Sequence, residues 1–203
     1  MPGQYAWLTA NSLTEDPMTD VSSSPALSLA AGEWKLDPAH SGVHFKVRHL
    51  GLTNVRGTFK SFDATLAVGE SLDNVVVDAV IELASVDTNN PDRDAHLLST
   101  DFFAAEKNPQ IRFTSTGITG TEDALELTGE LTINGITRPV SFPVEFNGIE
   151  VHPADGKDHA GFSASTVINR NDFGVDFNMP LGMNKLALGE RVNVELELQF
   201  VTD

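Results

Sequence analysis

The chain has 203 residues, with 13 basic against 29 acidic side chains and a net charge of −16 at neutral pH. That balance argues against nucleic acid and anionic membrane surfaces as partners, because both would repel it. Without cysteine there are no disulfides, thiolate chemistry, cysteine-ligated zinc or iron–sulfur clusters, and no apolar run approaches the roughly 18 residues of a membrane helix.

Residues 1–32 differ from the rest. They carry Pro2, Gly3, Pro17, Pro25 and Ser22-Ser23-Ser24, the acids Glu15, Asp16 and Asp20, and no basic residue; the first lysine is Lys35. A secretory signal opens with positive charge, so this segment reads as a disordered leader on a cytoplasmic protein, with Met18 an alternative start. Residues 33–203 are then the folded domain.

From Glu33 onward apolar and polar residues alternate. Val43, Phe45 and Val47 face away from His44, Lys46 and Arg48; Leu125, Leu127, Leu131 and Ile133 from Glu126, Thr128, Glu130 and Thr132; Val140, Phe142, Val144 and Phe146 from Ser141 and Glu145. Val192, Val194, Leu196, Leu198 and Phe200 repeat the pattern at the C-terminus. Such runs are half-buried antiparallel strands. Further strands fit Arg56–Val68, Val75–Val86, Gln110–Thr119 and His159–Ile168, giving about eight, and Asn134-Gly135 marks a tight hairpin. The expectation is an all-β fold, a closed barrel or sandwich. Asn90-Pro91, with Asp92 and Asp94 following, starts a short helix, and Thr100–Phe103 a second turn. Asn169–Gly189 shows no period and suits a loop over a barrel mouth.

The chemical motifs are weak. Gly161-Phe162-Ser163-Ala164-Ser165 resembles a nucleophile elbow but lacks the last glycine and sits in a strand pattern. Asp92, His96 and Ser99 read as a helix with a local pair, and Asp155-Gly156-Lys157-Asp158 as a surface turn rather than a calcium loop. His40, His44 and His49 lack a metal-binding pattern, so no metal is expected. Lys35, Lys46, Arg48, Arg56 and Lys60 stand against the single acid Asp37. That cluster suits either an anionic head group or a solvated outer wall.

Four motifs together resemble the YceI family. They are Trp34 through Gly51, with Asp37-Pro38, His40-Ser41 and His49-Leu50-Gly51; Asp92-Arg93-Asp94-Ala95-His96-Leu97 with Asp101-Phe102-Phe103 and Pro109; Gly129 through Val140; and Arg170-Asn171-Asp172-Phe173-Gly174. They occur in order across roughly Glu33 to Val201. The resemblance implies an eight-stranded antiparallel lipocalin-like barrel with one or two short helices, which binds a long isoprenoid such as a polyprenyl diphosphate or a quinone-like lipid. It supplies no catalytic residues and no cofactor. Many members of the family are exported, and the absence of a signal departs from them.

The residues support the same ligand class. Phe 12 against Tyr 1 and Trp 2 describes an interior with few polar atoms, and each buried methylene contributes roughly 0.8 kcal/mol. Phe45, Val47, Phe59, Leu127, Leu131, Val140, Phe142, Val144, Phe162, Val194, Leu196 and Leu198 are expected to line the ligand chamber. Arg48, His49 and Arg56, flanking the connection Leu50–Asn54, are expected to hold the head group at a rim. The protein is expected to be a binding or transport protein, not an enzyme. The alternatives are a carrier of fatty acids or other amphiphiles, and a filled barrel serving in stress or as an interaction surface. An enzyme acting on a prenyl-type substrate would need a buried carboxylate facing His44 or His49. A homodimer could form only through side chains or loops, since a closed barrel has no free edge.

Overall fold

The alternating runs form strands that close into a ring. A computed structural model describes residues 28–182 and 185–202. The readings of residues 1–27, the acidic leader and the Met18 start, lie outside the described residues. Closer to the barrel, Leu29 is buried, and the Trp34 indole Nε1 donates to the Ala30 carbonyl at 3.0 Å.

The elements in order are β1 (Gly32–Leu36), β2 (Gly42–His49), β3 (Thr53–Phe59), β4 (Phe62–Val68), β5 (Val76–Glu82), β6 (Val86–Asp87), α1 (Pro91–Leu98), β7 (Gln110–Thr121), β8 (Ala124–Ile133), β9 (Ile136–Val151), β10 (Asp158–Asn169), β11 (Pro180–Gly182), β12 (Lys185–Leu186) and β13 (Leu188–Thr202). β1, β4, β5, β7, β8, β9, β10 and β13 pair successively, and β13 pairs back to β1, closing an eight-stranded antiparallel barrel. β2, β3 and β6 prolong three of its walls: β2 lies on the lower part of β13, β3 on β2, and β6 on β3.

Two of the expected strands are therefore broken. Arg56–Val68 bends at Lys60-Ser61, and Val75–Val86 is interrupted by a 3-10 turn at Leu83–Ser85. The backbone groups freed there bond to each other: Lys60 N donates to Ser85 O at 3.1 Å and Glu82 N to Ser61 O at 3.0 Å. The turn buries Leu83 completely. Apolar burial and cross-satisfied backbone groups offset the lost ladder bonds.

β6 is two residues long, and β7 pairs with β5. The lower wall between β6 and β7 is filled instead by α1 and residues 99–109. The helix starts as its sequence demands: the Asn90 side chain accepts from Arg93 N at 3.0 Å and Pro91 occupies the first turn. Asn134 and Gly135 make the expected hairpin with φ of 52° and 74°, the left-handed pair of a type I′ turn. Residues 170–182 and 185–189 cross the lower end as a 3-10 turn at Arg170–Phe173 and the antiparallel pair β11 and β12.

Two apolar clusters fill the barrel ends. Trp34, Leu66, Leu125, Ala160 and Phe200 belong to the upper one. Leu83, Phe102, Ile111, Ile133 and Phe173 belong to the lower. Among the described residues no helix is long and apolar enough to cross a membrane.

Candidate functional site: an apolar chamber with polar groups at its lower end

Between the two clusters the barrel encloses a cavity of about 560 Å³. Its wall is aliphatic and phenylalanine side chains from every long strand. Of the twelve expected wall residues, all but Val140 line it. Val140 points inward but packs into the lower cluster. Its register partner is Gly129, where an added Cβ would lie 2.4 Å from Phe113 Cζ. The Phe113 ring occupies that space and fills the barrel beside Val140. Phe113, Phe173 and Phe177 also line the cavity. Phe113 shares the alternation of its strand, Phe173 belongs to the Arg170–Gly174 motif, and Phe177 lies in the segment without a period, where no pattern marked it.

The expected head-group residues are separated by the pleat. His49 lines the cavity. Arg48 and Arg56 are exposed and belong to the outer face: Arg56 lies opposite Lys46 in the ladder and Arg48 opposite Asn54. Lys46 is bonded to Glu195, and Arg48 Nη1 reaches Asn54 Oδ1 at 3.5 Å. That Lys46 hydrogen bond outweighs the partial burial of Glu195 and, with the charges of Lys46, Arg56 and His44, lowers its pKa. A connecting loop fixes the height of its flanking residues on a barrel, but strand alternation fixes their face. These cations therefore belong to an outer-wall charge cluster.

His44 of β2 and Asp63 of β4 also border the cavity, and its other polar residues come from outside the long strands. Thr88, Arg93 and His96 enter through the gap between β6 and β7, and Arg170 from the segment crossing the lower end. Arg93 Nε donates to Thr88 Oγ1 at 2.7 Å and Nη2 to Thr88 O at 2.6 Å. Asp94 anchors the same residue, accepting from Thr88 N at 3.0 Å. His96 Nε2 lies 2.9 Å from Asp101 Oδ2, and its ring meets Phe102 and Phe177 edge-on at 5.1 and 5.3 Å.

Arg170 is buried, with 6% exposure. Its Nε donates to Gly189 O at 3.0 Å, and Nη1 to Val175 O at 2.5 Å and Phe177 O at 3.0 Å. Burial lowers its pKa, partly offset by the charges of Glu190 and Asp176. One guanidinium thus gathers three carbonyls of the closing segment. The composition of the segment suggested a loop, but only the fold shows its arginine turned inward.

The remaining motifs fall elsewhere. In the Gly161–Ser165 run Phe162 faces the cavity, while Ser163 donates outward to Glu197 Oε2 at 2.7 Å. His96 pairs with Asp101 rather than Asp92. His40 Nδ1 meets Asp37 Oδ2 at 2.7 Å.

A family model described as the YceI-like domain matches residues 34–200. The chain belongs to the YceI-like family. A UPF0312 protein of Staphylococcus epidermidis is 38% identical over 172 residues, covering 84% of this chain and 98% of that protein. A YceI protein of Campylobacter jejuni superposes with a TM-score of 0.66 at 30% identity, covering 77% of this chain and 90% of that one. A domain of Saccharophagus degradans, described as polyisoprenoid-binding and implicated in plant cell wall breakdown, superposes at 0.62 with 13% identity, covering 84% and 98%. The YceI-like motifs now have positions: Asp92–Leu97 is the helix filling the wall gap, and Arg170–Gly174 the turn crossing the lower end.

Proposed function

We propose that this YceI-like barrel binds a single long isoprenoid lipid without transforming it, and carries or sequesters that lipid. The observation carrying the proposal is the cavity: about 560 Å³, walled by aliphatic and aromatic side chains, with Arg93, His96, Arg170 and His49 among its few polar residues. Small-molecule sites span roughly 300–1,000 Å³ and are mostly apolar with a few convergent polar groups. A dry apolar cavity of about 150 Å³ already holds benzene, so this one accommodates a chain several times larger. Burial of methylenes and methyls supplies the affinity, and the arginines and histidines of the lower end orient an anionic or carbonyl-bearing head. The Saccharophagus domain supports the same ligand class. Native mass spectrometry of the purified protein, with lipid analysis of its organic extract, tests the proposal. A polyprenyl phosphate or prenylated quinone in one-to-one ratio is the expected result. A fatty acid in the same ratio, or a protein that takes up no prenyl lipid when challenged, overturns it.

A further inference from the structure

The hairpin joining β9 and β10 lies at the opposite end of the barrel from Arg170. Its residues 152–157 lead from one strand to the other, and His152, Asp155 and His159 converge there. One ligand atom from each lies within 4.8 Å of the other two. His152 Nδ1 is 3.6 Å from Asp155 Oδ1, and His159 Nε2 is 3.2 Å from Asp155 Oδ2. The two imidazole rings stand 5.0 Å apart, inclined by 35°.

We infer that His152, Asp155 and His159 form a surface binding site for a divalent transition metal, with zinc the fitting ion. Zinc takes imidazole nitrogen and carboxylate oxygen at about 2.0–2.2 Å. Neighbouring ligand atoms of a tetrahedral site are then about 3.4 Å apart by geometry, close to both carboxylate–imidazole distances. Asp155 can ligate through one carboxylate oxygen, and with the two histidines it makes three protein ligands. Solvent takes the remaining coordination position. Two imidazoles select zinc, nickel or copper over magnesium and calcium, which prefer all-oxygen sites.

The hairpin backbone is already folded around these groups. Gly156 N donates to His152 O at 2.8 Å and His152 N to Lys157 O at 2.9 Å. Lys157 N donates to Asp155 Oδ1 at 3.0 Å, which fixes the carboxylate between the rings. His159 is held from behind: its side chain is 11% exposed, and its Nδ1 lies 2.9 Å from Gln199 Nε2. A metal on His159 Nε2 requires the proton on Nδ1, so on metal binding the Gln199 amide turns to accept it through Oε1 and gives up the bond that its Nε2 otherwise donates to Asp37 Oδ2 at 3.2 Å. The hairpin would then be tied through His159 and Gln199 to β13. The sequence reads as a surface turn at Asp155–Asp158 because a calcium loop would need further carboxylates; the fold, not the sequence, brings His152 and His159 to it.

The test is calorimetric titration of the EDTA-treated protein with zinc chloride at about pH 7.5. One saturable site is expected. His152→Ala combined with His159→Ala should weaken binding at least tenfold. Melting curves in EDTA, compared with wild type, check that the variant is folded. Failure of wild type to show saturable binding overturns the inference. So does a folded double variant with the wild-type isotherm, since the metal would then sit elsewhere.

Discussion

Arg170→Met tests whether the lower end is held shut by one buried guanidinium. The side chain satisfies the carbonyls of Gly189, Val175 and Phe177 at 3.0, 2.5 and 3.0 Å. A hydrogen bond from a charged donor contributes about 1.5–3 kcal/mol, and a buried group left unpaired costs about 1–3 kcal/mol. Methionine matches the length but donates nothing. Some of the freed carbonyls can reach water if the segment lifts, so the net cost is about 3–5 kcal/mol, below the gross sum. Against a domain stability of about 5–15 kcal/mol, the fold survives and the segment opens. Hydrogen exchange should show faster exchange at the Val175, Leu188 and Ala187 amides, with the β8–β9 ladder unchanged. Extracted lipid should decline in parallel. Arg170→Lys should recover only part of the loss, because an ammonium cannot span three carbonyls as a planar fork does. Unchanged exchange in folded Arg170→Met would refute the idea that this residue closes the barrel.

Arg48→Ala with Arg56→Ala should leave lipid content within about twofold of wild type, since both residues lie on the outer face and exposed charges contribute little; Arg93→Ala should lower it, as lipid extraction would show. Phe142→Asp should abolish folding or lipid uptake in a melting and extraction assay, because an unpaired carboxylate in this buried wall costs several kcal/mol. Gly57→Val should lower stability by about 1–3 kcal/mol in denaturant titration, since its Cβ would lie 2.3 Å from Phe45 Cζ and 2.9 Å from Thr88 Cγ2. Asp37 is partly desolvated, which raises its pKa, but hydrogen bonds from His40, the Ala39 amide and Gln199, with the charge of His40, outweigh this and hold it below its ordinary 3.8. A depressed folded pKa gives stability that is present above the unfolded pKa and lost as pH falls through the folded one, so wild type should exceed Asp37→Asn at neutral pH and converge with it below about pH 4.

The wall of the barrel was legible because strand periodicity is a local property. A run such as Val192–Phe200 displays its inward face in the sequence, and antiparallel pairing preserves it across the ladder. Val140 shows the limit of that reasoning. Alternation gives the direction of a side chain, but the Phe113 ring over Gly129, from a neighbouring strand, decides whether that side chain meets open space. Arg48 and Arg56 show a second limit. Position in sequence placed them beside a barrel-end connection, while the pleat turned them outward. Asp92–Leu97 and Arg170–Gly174 carried the family resemblance as motifs, but their chemistry depends on contacts between distant segments. Arg93 meets Thr88 across a helix cap, and Arg170 meets Gly189 across the whole closing segment.

The broken strands explain why polar groups reach an otherwise apolar chamber. Had Val75–Val86 continued as one strand, its lower half could have paired with β7 and sealed the wall. Instead the chain turns at Leu83–Ser85, β6 shifts onto β3, and Leu83 N bonds Pro109 O at 2.9 Å. The opening thus created admits a helix capped by Asn90. That helix brings Arg93 and His96 to the cavity without placing a charged side chain on a continuous strand, where alternation would otherwise demand an apolar residue. Arg93 arrives with Thr88 as its partner, and His96 with Asp101, so neither is desolvated without a hydrogen bond. Periodic strands build the apolar barrel, and the interruption of one of them brings Arg93 and His96 to its polar end, beside His49 at the end of β2.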